Sequence, residues 1–339
     1  MSSQVLVTGV AGFIGSHVAA QLLKQGHRVV GLDDLSGGFT DHIPAGVKFI
    51  EGSITDVALV KKIFAEHKFE HVFHLAAYAA EGLSHFIKHF NYTNNLLGSI
   101  NLINAAVNHE VKCFVFTSSI AVYGRNQLPM TEAAVPQPED PYGIAKYAVE
   151  LDLKEAHEMF GLNYVIFRPH NVYGENQNLG DRYRNVIGIF MNQIMQNQPM
   201  TIFGDGTQTR AFSYIDDVAP VIAASIARPA CYNQVYNVGA DKPYSVNELV
   251  DVVAKAMGAT PQVKKLEARN EVAHAYSAHE KVHKHFGDLI KNISLEEGVN
   301  RMAAWAKKTG ARQGQAFEGI EVARNLPPAW AKLIASAKA

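Results

Sequence analysis

Tyr142 and Lys146 stand four residues apart in Pro141-Tyr142-Gly143-Ile144-Ala145-Lys146, so on a helix they share one face. A phenol titrates near 10 and is a poor base at neutral pH. A poorly hydrated ammonium one turn away favours the phenolate, and lowering the phenol by about 3 units takes roughly 4 kcal/mol of differential stabilisation. Such a pair would remove a proton from a hydroxyl. Ser119, at the end of Thr117-Ser118-Ser119, supplies a hydroxyl that can hydrogen-bond the same substrate oxygen. A surface tyrosine beside a lysine is the plain alternative. Two observations stand against it: the spacing occurs once among the 13 tyrosines, and it follows an apolar run that ends in the serines.

The N-terminus carries a second chemistry. Val5-Leu6-Val7-Thr8 reads as a strand, and Gly9, Gly12 and Gly15 follow at a three-residue spacing before a helix from Phe13 to about Gln25. Gly9 can take the tight turn, Gly12 lets backbone approach a pyrophosphate, and Gly15 lets the helix pack close. The helix opens at Phe13 and Ile14, where unpaired N–H groups and a partial positive charge favour an anion. Glycines alone fit many turns, but here Arg28 to Asp33 forms a second strand ending in an acid. An Asp there accepts from a ribose diol and repels a 2′-phosphate, which points to NAD over NADP.

Bulk properties narrow the class. A chain of 339 residues suits two domains that share an interface. A net charge of −1 provides no basic field for nucleic acid and no polybasic membrane patch. No apolar run approaches the length of a membrane helix, and a first strand at about Gln4 leaves no room for a signal peptide, so a cytoplasmic protein is expected. Cys113 and Cys231 lack metal or redox spacing. His85 with His89, and His279 with His283, have i, i+4 spacing without a third ligand nearby in sequence, so no metal is expected.

The elements that must position these groups alternate. Strand-like runs are Val5 to Thr8, Arg28 to Asp33, Val47 to Glu51, His71 to Ala76, Cys113 to Ser119 and Tyr164 to Arg168. Helical periodicity fills Phe13 to Gln25, Val57 to Glu66, Asn91 to Asn108 and Tyr142 to Phe160. That order predicts an α/β fold: a Rossmann-type, doubly wound parallel sheet, with ligand at the carboxyl ends of the strands. Gly9, Asp33, Leu75-Ala76-Ala77, Ser118-Ser119 and His170-Asn171 should converge there. After Pro169 the chain turns polar. A helix at Asn185 to Gln196, strands at Met200 to Phe203 and Ala211 to Ile215, a helix capped by Asp216 or Asp217, a helix at Ser245 to Met257, a strand at Gln262 to Leu266 and two shorter helices are expected. We read residues 1–170, with a return segment 211–240, as the nucleotide domain. Residues 171–210 and 241–339 read as a smaller α/β cap, whose tail after Thr309 contains Gly, Ala and Pro.

The motifs GVAGFIG, Asp33, His74-Leu75-Ala76-Ala77, TSSIAVYG (Thr117 to Gly124), PYGIAK and RPHNVYG (Arg168 to Gly174) occur in that order. Together they resemble the extended short-chain dehydrogenase/reductases, the group of nucleotide-sugar epimerases and dehydratases. The resemblance implies that Ser119, Tyr142 and Lys146 are the catalytic triad and that Lys146 also holds the nicotinamide ribose. It implies that Asp56, with Ile54 before it, is the adenine-edge contact, and that Asn95 is the buried Asn supporting the active-site backbone on the cofactor side. It implies that Asn171 contacts the sugar-nucleotide diphosphate, and that Phe203-Gly204-Asp205-Gly206-Thr207-Gln208-Thr209-Arg210 delivers Arg210 to it. Arg suits that task through its planar, always charged fork. Ala211 departs from the pattern, in which many relatives have Asp. Paired helices 91–108 and 142–160 imply a homodimer built as a four-helix bundle.

Members of this group that dehydrate, decarboxylate or epimerise at C3 and C5 need a further acid or base just after the serine. Ile120 and Ala121 stand there and can donate nothing. Their absence favours a simple 4-epimerase that keeps NAD bound and recycled, with UDP-glucose/UDP-galactose as the default pair. A UDP-hexuronate or UDP-N-acetylhexosamine 4-epimerase, a dehydrogenase/reductase that releases NADH, and a non-catalytic NAD-binding regulator are the alternatives. Tyr78 to His85 should face the sugar together with Ser118. Arg182 and Arg184 would read a carboxylate, contact phosphate or form a solvated cluster.

Overall fold

The computed structural model describes residues 2–125, 127–268, 272–313, 317–328 and 330–331; the parts of the two expected domains beyond these ranges lie outside the described residues. The first half of the chain lays down β1 (Gln4–Thr8), β2 (Arg28–Asp33), β3 (Lys48–Glu51), β4 (His71–His74), β5 (Cys113–Thr117) and β6 (Tyr164–Pro169). Four short strands follow, β7 (Val172–Tyr173), β8 (Met200–Phe203), β9 (Thr209–Ala211) and β10 (Ser213–Tyr214). Then β11 (Gln234–Val238) returns beside β6. The main sheet has seven parallel strands in the order β11-β6-β5-β4-β1-β2-β3. The order reverses between β1 and β4, where a crevice opens at the carboxyl edge. Strands buried on both faces need near-continuous apolar sequence, and Cys113-Phe114-Val115-Phe116-Thr117 is buried at every position.

Helices cover both faces. On one side, α1 (Phe13–Lys24) packs its Val18, Ala19 and Leu22 into a core that continues into the second half of the chain. On the other, α2 (Val57–His67), then, after the short α3 (Glu81–Ser84) and α4 (Lys88–Tyr92), α5 (Gly98–Asn108) and α6 (Pro141–Phe160) bury Phe64, Leu102, Val149 and Leu153. The second half adds α7 (Val186–Met195), α8 (Ala219–Ala224), α9 (Val246–Met257), α10 (Glu280–Phe286) and α11 (Leu295–Thr309). It also adds β12 (Pro243–Ser245), β13 (Val263–Leu266) and β14 (His274–Ala275), which form small sheets β12-β9-β14 and β13-β8. Ser245 closes a capping box with Glu248 at the start of α9. Among the described residues, no helix is long and apolar enough to cross a membrane.

Two expectations need correction, and one gains detail. The helix expected from Asn91 to Asn108 is present and continues from α4 into α5 through a π-helical turn at Thr93–Leu97. The widened turn accompanies buried Asn91 and Asn95, whose amides serve neighbouring backbone. The strand expected at Ala211 to Ile215 is two strands, because the chain leaves the β12-β9-β14 sheet and pairs β10 with β7. Neither Asp216 nor Asp217 caps a helix: α8 begins later with no side-chain cap. Asp217 instead accepts from the amides of Lys291 and Ile293 at 2.6 and 2.7 Å, and Asp216 pairs with Arg301 at 3.3 Å.

Candidate active site

The residues at the strand ends line one cavity of about 1590 Å³, well beyond the size that one drug-sized ligand occupies. Its floor is the glycine loop. Gly9 has φ +74°, and a Cβ there would stand 2.7 Å from the Ala76 amide nitrogen. A Cβ on Gly15 would overlap the Gly9 carbonyl. Loop, helix and the exit of β4 are therefore in backbone contact. Gly12 is the N-cap of α1 and brings no side-chain cap, so the first-turn amides of Phe13, Ile14 and Gly15 lie at the cavity edge. Asp33 ends β2 and accepts from the amides of Ala11 (3.0 Å) and Leu35 (2.8 Å). Burial raises its carboxyl above the ordinary range, and the two amides oppose that shift. Leu75, Ala76, Ala77, Ser53 and Ile54 complete this end. A glycine cradle with no room for a Cβ, an open helix N-terminus and an acid at the next strand end fit a dinucleotide with a free ribose diol.

The catalytic candidates come from α6 and the end of β5. Asp140 caps α6, its carboxylate accepting from Gly143 at 2.9 Å, Pro141 opens it, and Gly161 closes it in the left-handed conformation. This start turns Tyr142 and Lys146 inward, and both are buried. Lys146 Nζ donates to the Thr117 carbonyl at 2.8 Å and lies 5.8 Å from the centre of the Tyr142 ring. Ser119 lines the cavity beside Tyr142, and its hydroxyl favours the ionised phenol. Its hydroxyl also accepts from the Ala121 amide at 3.1 Å, which caps the short turn Ile120–Tyr123.

The electrostatics depart from the expected phenolate. Burial pushes Tyr142 above the ordinary phenol range; the Ser119 hydroxyl opposes this, and the charges of Glu81 and Asp140 add to it. Burial likewise lowers Lys146 to about 7, against the pull of Glu150. The reason is shared: a site dry enough to make an ammonium effective also penalises both charged forms. The lysine alone does not activate the tyrosine, so a further positive charge is needed beside it.

Behind the lysine lies a network that the sequence reading missed. Glu150, one turn beyond Lys146, is fully buried and receives Arg168 through Nε at 2.9 Å and Nη2 at 2.5 Å. Ser118 donates to the same carboxylate at 2.5 Å. Ser118, expected at the sugar, lines the cavity but directs its hydroxyl to this pair. The i, i+4 spacing of Lys146 and Glu150 and the arginine in RPHNVYG were the available signals.

Of two further cofactor-side residues, Asp56 takes another role and Asn95 supports backbone. Asp56 caps α2 by accepting from the Leu59 amide at 3.0 Å and is not among the cavity-lining residues; Ser53 lines the cavity there. Asn95 is buried behind the wall: it accepts from the Tyr78 amide (2.8 Å), donates to the Tyr78 carbonyl (3.0 Å) and bonds Asn91. Asn91 in turn donates to the Pro141 carbonyl at 2.8 Å, so this pair ties the sugar-side loop to the start of the catalytic helix. His74 is likewise structural, bridging Thr8 and Ser99 at 2.8 Å each; burial holds it neutral.

Opposite Tyr142, Tyr78 lines the cavity with the Arg184 guanidinium 5.0 Å from its ring centre. Arg184 is ion-paired to Asp181, and Arg182 also lines the cavity. Asn171, at φ +39°, donates to the Ala211 carbonyl at 3.2 Å. Arg210 faces the cavity from β9, braced by the carbonyls of Thr209 and Ala273 at 2.9 Å and Val272 at 2.6 Å. Among the described residues, no three His, Cys, Asp or Glu side chains form a metal site.

Residues 5–239 match the NAD dependent epimerase/dehydratase family. The chain belongs to that family. As a member of this extended short-chain dehydrogenase/reductase group, it uses NAD. It is 34% identical over 313 residues to a putative UDP-glucose 4-epimerase of Methanocaldococcus jannaschii, covering 89% of this chain and 98% of that one. The structure of UDP-glucose 4-epimerase from Thermotoga maritima with UDP-glucose superposes with a TM-score of 0.85 at 34% identity, over 90% of this chain and 99% of that one. UDP-glucuronic acid 4-epimerase from Bacillus cereus, with UDP-glucuronic acid and NAD, has a TM-score of 0.82 at 28% identity, over 90% and 99%. With NAD as its cofactor, the family member has its further positive charge: the oxidised nicotinamide ring is cationic.

Proposed function

We propose that this protein is an NAD-dependent nucleotide-sugar 4-epimerase, with UDP-glucose and UDP-galactose as its default pair. The observation that carries the reading is the catalytic constellation with no acid or base directly after the serine: Ser119, Tyr142 and Lys146 line one cavity, and Ile120 and Ala121 follow Ser119. Tyr142 takes and returns the proton of the sugar 4-hydroxyl, and Ser119 holds that oxygen. Lys146 keeps a cation against the phenol and orients a ribose. NAD, when bound, would supply a reversible hydride acceptor for C4. Gly9, Gly12, Phe13, Ile14, Gly15, Asp33, Ile54 and Leu75 to Ala77 hold the dinucleotide. Arg210 and Asn171 hold the diphosphate, and Tyr78 meets the sugar. We also keep the division into a nucleotide domain (1–170 with 211–240) and a cap.

A panel of UDP- and dTDP-hexoses, a UDP-uronate and a UDP-N-acetylhexosamine, followed by NMR without added NAD, tests the reading. The expected result is a C4 epimer with no net NADH. Turnover of the uronate or the N-acetylhexosamine in preference to glucose would move the substrate to that class. Net NADH would replace the epimerase by a dehydrogenase, and no turnover of any member would overturn the reading. We further propose a homodimer through the helices at 91–108 and 142–160, because Leu97 in the π-helical turn before α5 and Ile144, Leu151, Met159 and Phe160 of α6 leave large apolar side chains exposed there. A monomer by light scattering at micromolar concentration would refute it.

A further inference from the structure

After α11 the chain does not stop at the cap. It crosses back over the mouth of the cavity. Arg312 binds Asn192 of α7 through its amide (3.0 Å) and carbonyl (2.9 Å), and its guanidinium lies 3.7 Å from the centre of the Phe39 ring, in the loop after β2. Phe317 donates its amide to the Tyr183 hydroxyl at 3.1 Å and packs its ring against Tyr78 and Phe90 at 5.4 and 5.0 Å. Glu321 then docks by both ends. Its carboxylate accepts from the amides of His89 (2.7 Å) and Phe90 (2.8 Å), capping α4, while its own amide donates to the Phe86 carbonyl at 2.8 Å. Trp330 closes the segment: it is 3% exposed, lies edge-on to Phe86 and Tyr183, and shares a core with Ala80, Leu83 and Ile87.

What this segment grips is the sugar-facing wall. Glu81, Gly82 and His85 line the cavity from α3 and its end, and a Cβ on Gly82 would meet Trp330 at 3.5 Å. Ser84, on the same short helix, receives the Tyr142 amide at 3.3 Å and approaches Asp140 at 3.5 Å. A four-residue helix cannot hold its own position, because it closes a single turn. It packs on the start of α6 on one side, and the segment backs it on the other. Val322, Arg324 and Asn325 of the segment line the cavity directly.

We infer that residues 317–328 and 330–331 form the outer wall of the hexose subsite, with Trp330 and Glu321 as positioning residues that set, through α3, which sugar fits. This rests on the nucleotide-sugar reading above and goes beyond it by dividing the substrate. The segment packs on Tyr78, Phe86, Phe90 and Tyr183 at the sugar-facing wall, so its effect should fall on the sugar rather than on the nucleotide.

The test uses the full-length protein with its bound NAD, carrying Trp330→Ala or Glu321→Gln. For UDP-glucose, or the panel member the wild type turns over, each variant should raise KM about tenfold and leave the inhibition constant of UDP within about twofold. The ratio of kcat/KM between an N-acetylhexosamine and a hexose should also shift about tenfold. NAD content and melting temperature report folding, and Glu321→Gln carries the test where Trp330→Ala does not fold. An equal loss of UDP and UDP-sugar, or no change in either, overturns the inference. A wild type that binds UDP but turns over no sugar counts against the functional reading instead.

Discussion

At the cofactor end of the cavity, contacts are made by backbone held in place by glycine: Gly9 against Ala76, Gly15 against Gly9, and open amides at the start of α1. At the sugar end they are made by side chains that four separate stretches bring together: Tyr78, Tyr142, the Arg182–Arg184 loop and the C-terminal segment with Trp330. Backbone recognition reads a group common to every dinucleotide, so its geometry is local and tightly constrained. Side-chain recognition reads what differs between sugars, and each contributor can change without disturbing the sheet. The chemistry sits on the boundary, where α6 presents one base to both ends.

The largest effect should come from that boundary. Tyr142→Phe removes the base while leaving both ends intact, so turnover should fall about 10³-fold with NAD content and UDP affinity unchanged. Near-wild-type turnover would displace Tyr142 from its role. The two ends should then break separately. Arg210→Ala should weaken UDP binding about 10- to 100-fold, the value of a lost charge-assisted hydrogen bond at about 1.5–3 kcal/mol, with NAD retained. Gly15→Val should do the reverse, stripping NAD while UDP still binds by calorimetry. Loss of both ligands in either variant would show that the ends are coupled.

The smallest effect is a pH dependence. Burial holds Lys146 near 7, below the 10.5 of an exposed lysine. The unfolded chain therefore binds more protons between those values, and the stability of the ligand-free protein should climb as pH rises through that window. Below pH 7 the cost of the buried ammonium is fully present. Lys146→Met should flatten the climb in denaturant titrations at pH 7 to 10; an identical slope in the variant would mean that the lysine is not desolvated.

How much was legible follows the same divide. The glycine loop, Asp33, the alternating strands and helices, and the Tyr142–Lys146 face were readable because each is set by spacing within one or two elements. Asp56 was misplaced because an acid before a helix serves equally as a cap, and Ser53, three residues earlier, carries no such signature. Asn95 was legible as a backbone support only through the family resemblance; that it holds Tyr78 is visible only in the structure. The Glu150–Arg168–Ser118 network was hidden because Glu150 stands 32 residues from Ser118 and 18 from Arg168 in the chain.

Thus the sequence by itself determined the sheet, the glycine cradle and the shared helix face of Tyr142 and Lys146, all of which depend on local periodicity and backbone freedom. Only the tertiary structure decided the charge balance and the sugar wall. Burial sets the ionisation of Tyr142 and Lys146, and burial is a property of everything packed around them. The wall depends on Trp330 reaching α3 from nearly the far end of the chain, a contact that no local spacing encodes.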